Sequence, residues 1–329
     1  MMAYGFLGIG LVLLVLGSEA VLRGSVRLSA ALGLSPLIIG LLIVSAGTSS
    51  PELVVALTAA MHNTPDIALG NIIGSNIVNA LLMTGIGALV RPLPSPPKVV
   101  WRDGIAMLIA SVALVALTST GMITQKMGYL LLSAFVVYIL ISFFTDWRRP
   151  AQLSVAETRA IKALGAQKLA PGLSVFLMVF GFVCLYFGGH FAVDGGLALA
   201  REYHVSQAII GLTVIAFGAS LPELTTTVIS AARGQTSIAI GHLIGSNIFN
   251  ILLVLGITAS IHPLSVAPSL AHFDVIIMAL SAALLIPLMA SSWRITRAEG
   301  FMLVLFYVGY VGYIAYQQGY VPLSKLGLG

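Results

Sequence analysis

Charge is what this chain has least of. Lys, Arg, Asp and Glu make up only 8% of its 329 residues, whereas 58% are hydrophobic, and a soluble domain cannot cover its surface with so little charge. Its single cysteine, Cys184, lies in an apolar run, which excludes an internal disulfide and any redox framework. The formal charge of +5 is spread over short loops rather than gathered on one face, which excludes a nucleic-acid surface. No G-x-S-x-G elbow or H-E-x-x-H helix occurs, so the polar residues carry no hydrolytic motif, and neither an enzyme nor a cofactor is expected. The opening Met1-Met2-Ala3-Tyr4 has no basic n-region or cleavage signal, so the first apolar run reads as a retained span.

What the chain does have is apolar length. A spanning helix needs ~20 mostly apolar residues, and by that measure the sequence predicts ten spans, at 5–22, 35–61, 67–90, 104–120, 127–144, 172–193, 206–232, 237–261, 273–290 and 300–316. The predicted class is an all-α polytopic membrane protein. Its domains are a first five-helix repeat at 1–146, a linker at 147–170 and a second five-helix repeat at 171–329.

One stretch interrupts the apolar pattern. Gly47-Thr48-Ser49-Ser50-Pro51-Glu52-Leu53 puts hydroxyls, a proline and a carboxylate at bilayer depth, where a charge is costly and usually faces a partner or a wet cavity. Pro51 removes a backbone donor and so breaks the helix, which a membrane tolerates only where protein or a cavity satisfies the freed groups. The same device returns 171 positions later as Gly218-Ala219-Ser220-Leu221-Pro222-Glu223-Leu224. About half of the positions from Gly47 to Leu93 are identical to those from Gly218 to Leu264. Gly74-Ser75-Asn76-Ile77 matches Gly245-Ser246-Asn247-Ile248, Asn79 matches Asn250, and Ile38-Ile39-Gly40 matches Ile209-Ile210-Gly211. The half-chain is duplicated.

The candidate ligands follow from the duplication. Glu52 and Glu223 carry four oxygens and balance one divalent ion, and neighbouring neutral oxygens can complete the six to eight at ~2.3–2.6 Å that Ca2+ takes. Ser75 and Asn79, like Ser246 and Asn250, are four residues apart and share a helix face; small polar residues of this kind also serve as glue between membrane helices. Thr48, Ser49 and Ser220 lie within a turn of the glutamates and can ligate through hydroxyl or carbonyl. Ala219 stands in the place of Thr48, so a hydroxyl is missing there, and Ser45 and Ala216 offer carbonyls ahead of the break. His242 replaces Asn71 one turn before Ser246, either as a group beside the site or as a hydrogen-bonded packing residue. Glu19 precedes Arg23 by one turn and reads as a local ion pair; His62, His204, His262 and His272 share no metal-ligand spacing.

Orientation follows from the basic residues. The linker carries Arg148, Arg149, Arg159, Lys162 and Lys168, and the positive-inside rule puts it in the cytoplasm. Counting spans from there puts thirteen of the sixteen Lys and Arg residues on that side, all but Lys126, Arg201 and Lys325. Both termini are then outside, and two halves of odd span number enter the membrane in opposite senses. Inverted repeats of this kind place a substrate site near the midplane, between broken helices.

With its ten spans, basic linker and duplicated G-T-S-x-P-E and G-S-N-I-x-N segments, nearly the whole chain resembles the cation/calcium antiporter superfamily, in particular the prokaryotic sodium/calcium exchangers. The resemblance implies a core of spans two, three, seven and eight around the ions, with spans one and six sliding across it. It implies exchange of Ca2+ for Na+ by alternating access, with proton-coupled Ca2+ exchange as the alternative. It further implies coordinating positions at Ser45, Thr48, Ser49, Glu52, Ser75, Asn79, Ala216, Ala219, Ser220, Glu223, Ser246 and Asn250. Some members carry Asp where this chain has Asn79 or Asn250, so its site holds one carboxylate fewer than theirs. Ca2+ and Na+ are the expected substrates and a plasma-membrane bilayer the expected surroundings, with no nucleic acid and no obligatory protein partner.

Overall fold

The computed structural model describes residues 2–31, 45–147, 171–232 and 236–317. Two long helices, α1 (Met2–Ala31) and α7 (Pro171–Glu202), lie against each other in antiparallel sense. Glycine explains how closely they approach. Gly10, Gly17 and Gly24 recur every seven residues, and Gly181, Gly188 and Gly195 are their register partners in the second half. A Cβ on Gly10 would stand 2.5 Å from the Ala192 nitrogen, one on Gly17 2.8 Å from the Gly181 carbonyl, and one on Gly195 2.5 Å from the Leu7 nitrogen. Backbone therefore meets backbone along the seam, as small residues allow between membrane helices. Glu19 and Arg23 pair at 2.6 Å on the exposed side of α1.

Beside this pair are the two broken helices. In the first half α2 (Ser45–Thr48) is followed by α3 (Ser50–Met61), and in the second α8 (Gln207–Ala219) by α9 (Leu221–Ala232). Each break falls on a serine with ψ near zero, Ser49 (φ −81°, ψ 5°) and Ser220 (φ −87°, ψ 12°), and α8 and α9 differ in direction by 45°. Pro51 and Pro222 sit in the first turn of the restarted helix, where the missing N–H has no intrahelical acceptor. The break and the proline are one device.

Two helices occupy the centre. About 83% of the apolar window of α4 (Pro65–Val90) and 78% of that of α10 (236–261) is buried inside the protein, against 22% for α6 (Gln125–Trp147) and α12 (Arg297–Gln317). The first two are the core, and the last two show their apolar sides outward. Both central helices widen into a π-type turn, at Val78–Met83 and Phe249–Val254, which re-aims the side chains that follow. Two further helices, α5 (Val99–Thr118) and α11 (Leu270–Ser291), each open on a buried carboxylate held by a tyrosine. Tyr138 donates to Asp103 at 3.0 Å and Tyr310 to Asp274 at 2.9 Å.

The halves interleave. Strand β1 (Leu93–Pro94) pairs with β4 (Arg294–Ile295), and β2 (Met122–Ile123) with β3 (Leu264–Ser265), both antiparallel. Each ribbon joins one half to the other; a shift of 171 residues maps β1 onto β3, and a shift of 172 maps β2 onto β4. Likewise α6 packs on the end of α10 and α12 on the end of α4: a Cβ on Gly128 would lie 2.5 Å from the Ser260 nitrogen, and one on Gly300 2.8 Å from the Gly85 carbonyl. Arg297 also donates to the Leu89 and Val90 carbonyls at 3.1 and 3.3 Å, serving groups that a helix C-terminus leaves unpaired.

Among the described residues, seven helices are long and apolar enough to cross a membrane, and the bent pair α8–α9 makes eight if it is one span. The expected first span lies within the 30-residue α1, and the described part of the second holds the shorter apolar helix Ser50–Met61. An all-α expectation has no place for the two ribbons. They form because loops of two extended residues from different halves meet edge to edge, a contact without local signature. The expected span residues 35–44, with Ile38-Ile39-Gly40, lie outside the described residues. So do linker residues 148–170 with their five basic side chains, Arg233, and the C-terminal residues from 318 onward with Lys325.

Candidate cation site

Where the breaks of the two halves meet, the carboxylates of Glu52 and Glu223 are buried completely. The contact between them is reciprocal. Ser220, at the second-half break, donates its hydroxyl to Glu52 Oε1 at 2.8 Å, and Ser75 also lies within reach of that carboxylate. Thr48 and Ser49, at the first-half break, face Glu223, although neither Glu223 oxygen accepts a bond of regular geometry. The two carboxylates are near enough to feel each other's charge, and among the described residues no basic side chain separates them. Like charges this close in a low-dielectric interior repel strongly unless a cation or proton lies between them.

The central helices supply neutral oxygens. Asn79 and Asn250 stand in the wide turns of α4 and α10, fully buried, with both ends of each amide unpaired. Thr84 donates to the Asn79 carbonyl at 2.8 Å, occupying a backbone acceptor in the wide turn. Ser246 Oγ is likewise buried and unpaired, whereas Ser75 Oγ reaches the Ala216 carbonyl at 3.5 Å. Gly74 and Gly245 are what permit this approach. A Cβ on Gly74 would meet the Leu212 carbonyl at 2.4 Å and Ala216 Cβ at 2.7 Å, and one on Gly245 would meet Ser45 Oγ at 2.9 Å. Ser45 and Ala216 are register partners, so each central helix touches the broken helix of the opposite half at the equivalent point.

Other predicted ligands are placed less openly. The Ser45 carbonyl accepts from Ser49 N at 2.9 Å and from Thr48 Oγ1 at 3.2 Å, and the Ala216 carbonyl accepts from Ser220 N at 3.0 Å. Both carbonyls are thus engaged within their own helix, while the Ser45 and Ser49 hydroxyls are unpaired. Ala219 is buried and contributes only a methyl. Asn76 and Asn247 turn elsewhere, donating to the Ile72 carbonyl at 2.8 Å and to Met107 Sδ at 3.4 Å.

Two features are absent from the sequence reading. Thr227, one turn beyond Glu223 and fully buried, has an unpaired hydroxyl; its register partner is Ala56, so the second half gains a hydroxyl here where it loses one at Ala219. The i, i+4 spacing from Glu223 is the signal that finds it. His62 and Asp194, far apart in the chain, come together at the junction of α3 and α7, with 3.6 Å between Nδ1 and Oδ1, and the His190 ring stands beside them.

Among the described residues no three His, Cys, Asp or Glu side chains form a metal cluster, and the groups that meet the two carboxylates are the hydroxyls of Ser220, Ser75, Thr48 and Ser49. An oxygen-only set of this kind suits a hard cation.

The comparisons with known proteins agree with this chemistry. The family model described as sodium/calcium exchanger protein matches residues 2–144 and 173–316, one stretch in each half. Inner membrane protein YrbG of Escherichia coli K12 is 35% identical over 270 residues, covering 82% of each chain. Sodium/calcium exchanger MaX1 of Methanosarcina acetivorans is 30% identical over 342 residues, covering 94% of this chain and 97% of its own. Among solved structures, the sodium-calcium exchanger NCX_Mj superposes with a TM-score of 0.67 at 25% identity, over 94% of this chain and 97% of the other.

Proposed function

The chain belongs to the sodium/calcium exchanger protein family, and from that premise we propose that it is a secondary active antiporter exchanging Ca2+ for Na+ at the Glu52–Glu223 site by alternating access. The reciprocal contact carries this reading. Each half brings its hydroxyls to the carboxylate of the other half, so one ion between them would be held by both repeats together. Glu52 and Glu223 would bind the charge, Thr48, Ser49, Ser75, Asn79, Ser220, Ser246 and Asn250 would complete the shell, and Ser45, Ala216 and Ala219 would line it. Ca2+ and Na+ then compete for the same carboxylates, which is what couples them.

The same reading takes the fold as ten helices in two inverted five-helix repeats. In its support, both ribbons join loops that the span count puts on a common side, β1 with β4 and β2 with β3. We place the linker side in the cytoplasm and both termini outside a plasma membrane. The glycine seam would hold α1 and α7 together as the pair that slides across the core when access switches, because backbone packed on backbone joins them closely.

Proton-coupled exchange is the second reading, favoured by one observation: among the described residues the two buried carboxylates have no basic neighbour, so a proton could occupy either. Ca2+ uptake into proteoliposomes, driven by an outward Na+ gradient or an outward proton gradient at fixed membrane potential, separates the two. Uptake that needs internal Na+ and is lost in Glu52→Gln supports sodium exchange. Uptake driven by protons alone replaces it with the second reading, and full uptake in Glu52→Gln removes Glu52 from the site.

A further inference from the structure

Besides Ala219 and Thr227, the two halves differ at a further point near the carboxylates. Where α4 has Asn71, α10 has His242, and this imidazole is buried with both ring nitrogens unpaired. A neutral imidazole has one N–H donor and one lone pair, and leaving a buried polar group unpaired costs ~1–3 kcal/mol. A histidine kept only for packing would bond at least one nitrogen to a neighbouring carbonyl or hydroxyl. Among the described residues, this one bonds neither.

Its placement points to the site. His242, Ser246 and Asn250 follow one another at four-residue intervals and share a face of α10, and the other two also present unpaired polar atoms. Asn71, at the equivalent place on α4, donates to the Glu52 backbone carbonyl at 3.3 Å. The position therefore abuts the carboxylate-bearing helix, and α10 packs against α9, which carries Glu223.

We propose that His242 supplies a nitrogen ligand on the Glu223 side of the cation site and so extends the cations it accepts from hard Ca2+ to borderline divalent ions, of which Cd2+ is the probe. The proposal rests on reading Glu52 and Glu223 as the cation site. Ca2+ takes oxygen ligands, whereas imidazole suits the borderline and transition metals. Asn71 offers only an amide at the corresponding point, so the nitrogen donor is peculiar to the second half.

The test measures Ca2+ and Cd2+ affinities of the purified full-length protein by titration calorimetry, in the wild type, His242→Asn, His242→Gln and Glu223→Gln. With a nitrogen ligand, Cd2+ affinity falls about tenfold relative to Ca2+ affinity in both His242 variants, the scale on which groups supporting a metal site act. A packing role would move both affinities in proportion, or neither, and either result overturns the proposal. Cadmium-113 NMR of the wild type is independent of how the variants fold: a shift in the nitrogen-ligated range supports the assignment and an oxygen-only shift refutes it. Glu223→Gln separates the two levels. If it leaves both affinities unchanged, the cation-site reading fails and this proposal with it; if it abolishes both while the His242 variants keep the wild-type ratio, only the histidine assignment fails.

Discussion

The two buried aspartates at the starts of α5 and α11 are register partners with unequal surroundings, and neutralising each should have unequal effects. Asp103 accepts a bidentate pair from Arg102, Nε to Oδ1 at 2.7 Å and Nη2 to Oδ2 at 2.9 Å, and a third bond from Tyr138. Its side chain is 4% exposed and that of Arg102 15%. Among the described side chains Asp274 keeps the tyrosine bond but no basic partner, because the register puts Phe273 where Arg102 would be. Asp103→Asn leaves a mostly buried guanidinium facing an amide donor, and breaking a buried ion pair on one side costs ~3–5 kcal/mol. The partial exposure of Arg102 puts the expected loss near the lower end, about 3 kcal/mol. Asp274→Asn preserves an oxygen for Tyr310 and removes a buried charge that has no basic partner, so the cost is expected within about 1 kcal/mol of zero, of either sign. Thermal unfolding of the two variants in the same detergent, each against wild type, reads the difference. Equal destabilisation, or a larger loss for Asp274→Asn, would refute the argument that the arginine makes the two sites differ.

Three further outcomes are expected. Gly17→Leu forces a side chain into a gap where even a Cβ would lie 2.8 Å from the Gly181 carbonyl; it should abolish Ca2+ flux while calorimetry still detects Ca2+ binding, and loss of both together would contradict a role confined to the α1–α7 seam. Ser220→Ala removes the donor to Glu52 Oε1, a bond to a charged group worth ~1.5–3 kcal/mol, and should weaken Ca2+ binding roughly tenfold or more on that scale; unchanged affinity would detach Ser220 from the site. Arg297→Gln gives up two bonds to the end of α4 and should lower stability by about 1 kcal/mol without altering the ratio of Ca2+ to Na+ affinity, measured by competition.

Much of this was legible in the sequence because the duplication writes it twice. That the helices break near Pro51 and Pro222, and that Ser75 and Asn79 share a face, follow from local spacing, whereas the breaks themselves fall two residues earlier, on Ser49 and Ser220. What spacing cannot encode is which half meets which. Nothing in the order of residues says that Ser220 bonds Glu52, that Leu93 pairs with Ile295, or that His62 comes to rest beside Asp194. Thr227 illustrates a nearer miss, since its turn from Glu223 was readable but its partner Ala56 gave no second copy to draw attention. The glycines of α1 and α7 also repeat, yet glycine in a membrane span is common, and only the backbone contacts identify the seam.

The crossing of the two halves also bears on how the molecule is made. Until α10 and α12 have been synthesised, the glycine faces of α6 and α4 have nothing to rest on, and Glu52 lacks the serine that bonds it. The first repeat must therefore wait in the bilayer, half-assembled, for the second to arrive and fill its gaps. A gene cut within the linker and expressed as two separate polypeptides should consequently yield a complete protein only when both are present in one membrane.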